Sequence, residues 1–165
     1  MQRGTVGRVM EVLLVEDSLP AARLTMGALK RGGIEHRMTW IADGDEALQF
    51  LTQQEPFTRA PQPDLVLLDL MLPGKSGREL LHEIREGGEL SDIPVVIMTG
   101  NPEEQATLHQ EGLEVQGFIE KPVDLDAFLA LIARLKDFWK ADMILPEQAH
   151  ASSSAAKVTS DDDLM

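Results

Sequence analysis

The sequence predicts an α/β fold in which a doubly wound parallel sheet carries helices on both faces, and three observations lead there. Val12–Val15, Leu65–Leu68 and Val95–Met98 are short, continuous apolar runs, as expected of strands covered on both sides. Between and after them lie segments with helical spacing and helix-start residues. At the ends of the proposed strands stand polar residues of complementary type.

Strand 9–15 carries the first run and leads into helix 18–31, which is followed by strand 35–41. Asp43, with Glu46 three residues on, has the form of a capping box with Asp in the usual Ser/Thr place. It opens helix 44–54 ahead of Ala47, Leu48 and Leu51. Strand 64–69 holds the second run, with helix 77–87 after it, and strand 93–99 holds the third. Asn101, Pro102 and two glutamates then mark the start of helix 102–111, with proline at the first helical position and acids on the positive end of the dipole. Strand 116–120 follows, and Asp124 opens helix 124–140. Strand–helix alternation of this kind implies right-handed crossovers. It places the carboxyl ends of all strands on one edge, where such folds bind ligands. Candidate residues therefore cluster at 16–18, 69–71, 99–101 and 121.

The 165 residues fit one domain with a tail. We divide them into an N-terminal tail 1–8, a domain 9–140, a C-terminal extension 141–149, and a low-complexity tail 150–165 that is expected to be disordered. Apolar residues make up 43% and charged residues 26%, enough apolar surface for a core without staples. Lys and Arg number 15 against 28 Asp and Glu, a net charge of -13. That balance repels phosphate backbones and anionic lipid, so neither nucleic acid nor a membrane surface is an expected partner. The absence of cysteine excludes disulfides, thiolate catalysis and Cys-ligated metal sites. With no signal-peptide core in Met1–Arg8 and no apolar run of membrane-spanning length, a soluble cytoplasmic protein is expected.

Strand one ends in Glu16-Asp17 and strand three in Asp69. Three carboxylates at one sheet edge repel each other unless a hard divalent cation sits among them, and Mg²⁺ suits a site that also takes phosphate. Strand four ends in Thr99, a hydroxyl donor, and strand five is followed by Lys121. A carboxylate nucleophile, a metal, a hydroxyl and an ammonium together describe phosphoryl transfer.

In order and spacing these residues resemble the receiver domain of two-component response regulators: Glu16-Asp17, Asp69 within Leu67–Gly74, Thr99 within Met98-Thr99-Gly100, and Lys121-Pro122. The resemblance implies a flavodoxin-like (βα)5 fold with strand order 2-1-3-4-5. It makes Asp69 the phosphoacceptor, assigns Mg²⁺ to Glu16, Asp17, Asp69 and the backbone carbonyl of Met71, and places Thr99 and Lys121 on the phosphoryl group. Phe118 stands where the family keeps an aromatic switch that moves with Thr99, and the Lys121-Pro122 bond would be cis. Met71 and Asn101 stand where the family tunes access of the hydrolytic water. The long loop Gln53–Pro63 and the ending Asp137-Phe138-Trp139 resemble the single-domain regulators of bacterial and cyanobacterial phytochrome histidine kinases. A phytochrome kinase is therefore the partner the resemblance implies, with self-catalysed loss of the phosphoryl group and output through protein contact.

On a helical wheel Leu125, Phe128, Leu129, Leu131, Ile132, Leu135, Phe138 and Trp139 span roughly 180°, against about 100° for a helix packed on one core. That excess predicts a homodimer through Phe128, Leu131, Ile132, Leu135, Phe138 and Trp139, or cover by residues 141–149. Three other functions compete. A flavodoxin-like flavin module wants glycines or hydroxyls after strand one, where this chain has two acids. An aspartyl phosphatase or mutase generally needs a second acid where Met71 stands. A phosphorylation-independent scaffold would have no use for the intact acidic set.

Overall fold

The computed structural model describes residues 9–32 and 35–135. Its five strands are β1 (Met10–Val15), β2 (His36–Ile41), β3 (Leu65–Asp69), β4 (Val95–Thr99) and β5 (Gly117–Glu120). All pair in parallel in the order β2-β1-β3-β4-β5, as the resemblance implies. The helices are α1 (Leu19–Arg31), α2 (Gly44–Leu51), α3 (Gly77–Glu86), α4 (Glu104–Gln110) and α5 (Leu125–Arg134). The tails 1–8, 141–149 and 150–165, and residues 136–140 of the predicted last helix, lie outside the described residues.

The continuous apolar runs divide by alternation into two cores, one on each face of the sheet. Val12, Leu14, Leu65, Leu67, Val96 and Met98 pack with α1 and α5. Leu13, Val15, Val66, Leu68, Val95 and Ile97 pack with α2, α3 and α4. Because both faces are covered, neither set of positions can be polar, and the strands read as unbroken hydrophobic runs.

The helix starts follow the predicted chemistry closely, with one displacement. Asp43 accepts the Glu46 N–H at 3.0 Å and Asp124 the Ala127 N–H at 2.9 Å. Ser76 and Glu79 form a reciprocal capping box on α3. Asn101, however, does not cap the regular helix. Its side chain accepts from Glu103 N and its carbonyl from Glu104 N, closing a turn ahead of α4. The helix therefore begins two residues later than its Pro102 suggests.

Helix α2 also ends three residues earlier than predicted, at Leu51. Thr52 is its C-cap and Gln53 adopts φ 57°, a left-handed conformation that cannot continue an α-helix. A 3₁₀ turn at Gly88–Asp92, absent from the sequence reading, delays β4 to Val95.

Four of the six residues predicted for a homodimer surface on the last helix are core residues of the chain itself. Phe128, Leu131, Ile132 and Leu135 are no more than 3% exposed and belong to the core against the sheet. Within the described residues, the apolar arc up to Leu135 packs inside the chain. Leu131 packs so closely on β5 that a Cβ at Gly117 would lie 2.5 Å from it, while Leu129 lies equally close to Gly32 at the end of α1. One helix thus buries two flanks, one on the sheet and one on α1. Phe138 and Trp139 lie outside the described residues.

Two close backbone approaches fix the β3–α3 loop beside the strand ends. A Cβ at Gly77 would stand 2.2 Å from the Asp69 carbonyl oxygen, and one at Gly44 would stand 1.8 Å from that of Lys75. Gly77→Ala is therefore expected to cost about 3 kcal/mol, since backbone rather than a flexible side chain must move. The midpoint of urea unfolding should fall while its slope stays constant; an unchanged midpoint would show the approach to be loose.

Candidate functional site

The carboxyl ends of β1, β3, β4 and β5 bring the predicted residues to one edge. Glu16 follows β1 and is fully buried, Asp69 closes β3 at 4% exposure, and Thr99 closes β4 at 4%. Lys121 follows β5. Its Nζ lies 2.6 Å from Glu16 Oε1 and 3.2 Å from Asp69 Oδ2. Asp17, one residue past Glu16, is exposed.

Two of the carboxylate oxygens are held by backbone N–H groups. Asp69 Oδ1 accepts from Met71 N at 3.1 Å, and Glu16 Oε2 from Ser18 N at 3.1 Å. Glu16 Oε1 is buried and accepts from no backbone or neutral side-chain donor; the Lys121 ammonium meets it as an ion pair. No hydrogen bond or ion pair holds the Asp17 carboxylate among the described residues. Thr99 is brought to the edge, but its Oγ1 accepts from Asn101 N at 3.1 Å and makes no bond to the carboxylates. The Met71 side chain points outward, 74% exposed. Phe118 is half-buried against the α2–α4 core, and the Lys121-Pro122 bond is cis.

The electrostatics follow from this crowding. Burial raises the Glu16 pKa above the usual carboxylate range, and the neighbouring Asp69 adds to the rise; Lys121 and the Ser18 N–H oppose it without cancelling it. Burial by itself would lower the Lys121 pKa, but Glu16 and Asp69 outweigh it, so the ammonium is raised and stays charged. One cation faces two buried carboxylates with a third beside them, which leaves the site with excess negative charge.

That excess is what a divalent cation would offset. One oxygen from each of Glu16, Asp17 and Asp69 lies within 4.8 Å of the others. The donors are all hard oxygens, one of them buried and met only by the Lys121 ammonium, a set that fits Mg²⁺ rather than a thiophilic metal.

Two holders of the site were not found from the sequence. Ser18 both caps α1 and fixes Glu16. Trp40, on β2, donates its indole N–H to the Glu16 carbonyl at 2.6 Å. The sole available signal was a tryptophan near the end of a predicted strand, which does not say what the ring touches.

Comparison with known proteins was consistent with this geometry. Residues 12–133 match the family model described as the response regulator receiver domain. Response regulator Rcp1 of Synechocystis sp. is 37% identical over 135 residues, covering 82% of this chain and 92% of that protein. Among solved structures, the bacteriophytochrome response regulator RtBRR superposes with a TM-score of 0.76 at 31% identity, covering 90% of this chain and 95% of the other. The Mn²⁺-bound form of Rcp1 superposes with a TM-score of 0.66 at 36% identity, covering 83% and 99%.

Proposed function

This chain belongs to the response regulator receiver domain family, and from that premise we propose that it is a single-domain, cytoplasmic response regulator. It takes a phosphoryl group from the phosphohistidine of a sensor kinase onto Asp69, loses it by hydrolysis, and signals by protein contact. The observation that carries the reading is the contact of Lys121 with both Glu16 and Asp69 at the end of the sheet.

In the forward step a carboxylate oxygen of Asp69 attacks phosphorus as the P–N bond to the kinase histidine breaks, and the bonding pair leaves with the imidazole. The Met71 N–H holds Asp69 Oδ1 and so orients the nucleophile. Lys121 already lies on Oδ2 and can pass to a phosphoryl oxygen as charge moves there. The Thr99 hydroxyl uses its oxygen to accept from Asn101 N, which leaves its own proton free for the phosphoryl group. Phe118, packed half-buried beside β4, is the side chain that follows Thr99. Water attack on phosphorus reverses the modification, releasing phosphate and regenerating the Asp69 carboxylate. Glu16, Asp17, Asp69 and the Met71 carbonyl would hold Mg²⁺, which supplies neutralisation of the transferring oxygens when bound.

The kinase is a phytochrome in this reading, supported by the likeness to RtBRR and Rcp1 over nearly their full lengths. The test is phosphoryl transfer, with Mg²⁺ present, between this protein and a phytochrome histidine kinase of the same organism under red and far-red light. Light-dependent gain of label, or light-dependent loss of label preloaded from acetyl phosphate, is expected. Labelling from acetyl phosphate without any response to the phytochrome would remove the partner and leave the receiver. No labelling from either donor would defeat phosphotransfer altogether.

A further inference from the structure

We infer that Trp40 is a positioning residue for the divalent-cation site, acting through the peptide that joins Glu16 to Asp17. The inference rests on the receiver reading above and extends it to a residue outside the recognised acidic set.

Trp40 pairs with Leu14 and Ile41 with Val15 in the β1–β2 register. The ladder runs one step beyond the strands, for Glu16 N donates to Ile41 O at 3.1 Å. On the sheet face shared with Leu14, the Trp40 indole reaches past the end of β1 and its Nε1 donates to Glu16 O at 2.6 Å. Both backbone groups of Glu16 are thus tied to the end of β2. That carbonyl belongs to the peptide leading into Asp17, so its direction fixes where the Asp17 Cα stands.

This matters because the Asp17 carboxylate has no partner of its own among the described residues, whereas Glu16 is held by Ser18 N and Lys121. Asp17 can reach the common point with Glu16 and Asp69 only as well as its backbone is placed. Among the described residues, the indole N–H is the one side-chain donor to that peptide. Trp40 is 36% exposed on the edge strand β2, so burial is only part of what the residue contributes there. A cation held by few carboxylates in near-octahedral geometry tolerates little ligand displacement, and second-sphere hydrogen bonds of this sort are what orient ligands.

The test removes the N–H and keeps the shape. The indole at position 40 is replaced by benzothiophene, as the non-natural residue 3-benzothienylalanine, with Trp40→Phe as a second variant. Mg²⁺ is titrated calorimetrically into each metal-free protein, and metal-free thermal unfolding is recorded alongside. Loss of one positioning bond is expected to weaken Mg²⁺ about threefold to tenfold in both variants, with the unfolding temperature of the metal-free benzothiophene protein lowered by no more than the few degrees that a single hydrogen bond contributes. In a Trp139→Phe background, where Trp40 is the only tryptophan, its emission should change with Mg²⁺ and saturate at the same dissociation constant. Wild-type Mg²⁺ affinity in the benzothiophene protein overturns the inference while leaving the receiver reading intact. Absence of Mg²⁺ binding in the unaltered protein defeats both.

Discussion

Asp69→Asn is expected to reduce covalent labelling by acetyl phosphate or a phosphorylated kinase to background, a loss of at least about 10³-fold, because an amide oxygen cannot serve as the nucleophile. The shape is conserved, and the amide oxygen can still accept from Met71 N. The metal-free fold should therefore survive. Its stability at neutral pH should hold or rise, for a definite reason. Asp69 contributes to the raised pKa of buried Glu16, and a carboxyl raised by folding costs stability above its folded pKa. Removing the neighbouring charge reduces that cost. Stabilisation by Mg²⁺ should shrink at the same time, since one of three clustered carboxylates is lost and ligand-linked stabilisation follows RT ln(1 + [L]/Kd). Phosphate-release or radiolabel assays with thermal unfolding in the presence and absence of Mg²⁺ check all three. Persistent labelling of the variant would move the acceptor to another residue.

Lys121→Met is expected to give effects of opposite sign on two functions of the same site. The methionine keeps most of the stem but leaves Glu16 and Asp69 without the cation now 2.6 and 3.2 Å away. Phosphoryl transfer should slow about 100-fold, as when one charge-stabilising donor is removed from a reacting group. Mg²⁺ affinity should rise, because the ammonium no longer competes for Glu16 and Asp69. Metal-free stability should fall by about 2 kcal/mol at neutral pH, less than for a wholly buried pair because the lysine is partly exposed. The pH dependence has a definite sign. Without Lys121 the Glu16 pKa rises further, so the deficit is full above its folded pKa. It disappears below the ordinary carboxylate range, where Glu16 is protonated in both states. Urea unfolding at several pH values, with Mg²⁺ titrations, checks this. Weaker Mg²⁺ binding, or undiminished labelling, would mean that the lysine holds the fold and not the phosphoryl group.

Both predictions concern residues visible in the sequence. Glu16, Asp69 and Thr99 were legible because each ends a continuous apolar run, and a polar residue there must lie at the sheet edge. Lys121 was legible from its place before Pro122 after a fifth strand. The end of α2 was less so. Gln49, Phe50 and Leu51 continue helical spacing, and only the left-handed turn at Gln53 shows where it stops. Nor could Arg85 be seen as a tie. Its guanidinium donates to the carbonyls of Glu114 and Ile93 at 2.8 and 2.9 Å and to Gln116 Oε1 at 2.7 Å, which also accepts from Val95 N. That set locks α3 to the starts of β4 and β5, yet in the sequence it is one more charge on a helix.

What the sequence determined by itself was the succession of elements, the two-sided burial of the sheet and the chemistry at its edge. Each depends on periodicity and on which residue follows a strand, and both are local. Tertiary structure alone decided what covers α5 and what holds Glu16. A helical wheel counts residues and not neighbours; up to Leu135, the sheet and the end of α1 share the apolar arc of the last helix. The bond from Trp40 to the Glu16 carbonyl joins residues 24 apart. It exists because parallel register sets β2 beside β1, and no spacing rule along the chain encodes that distance.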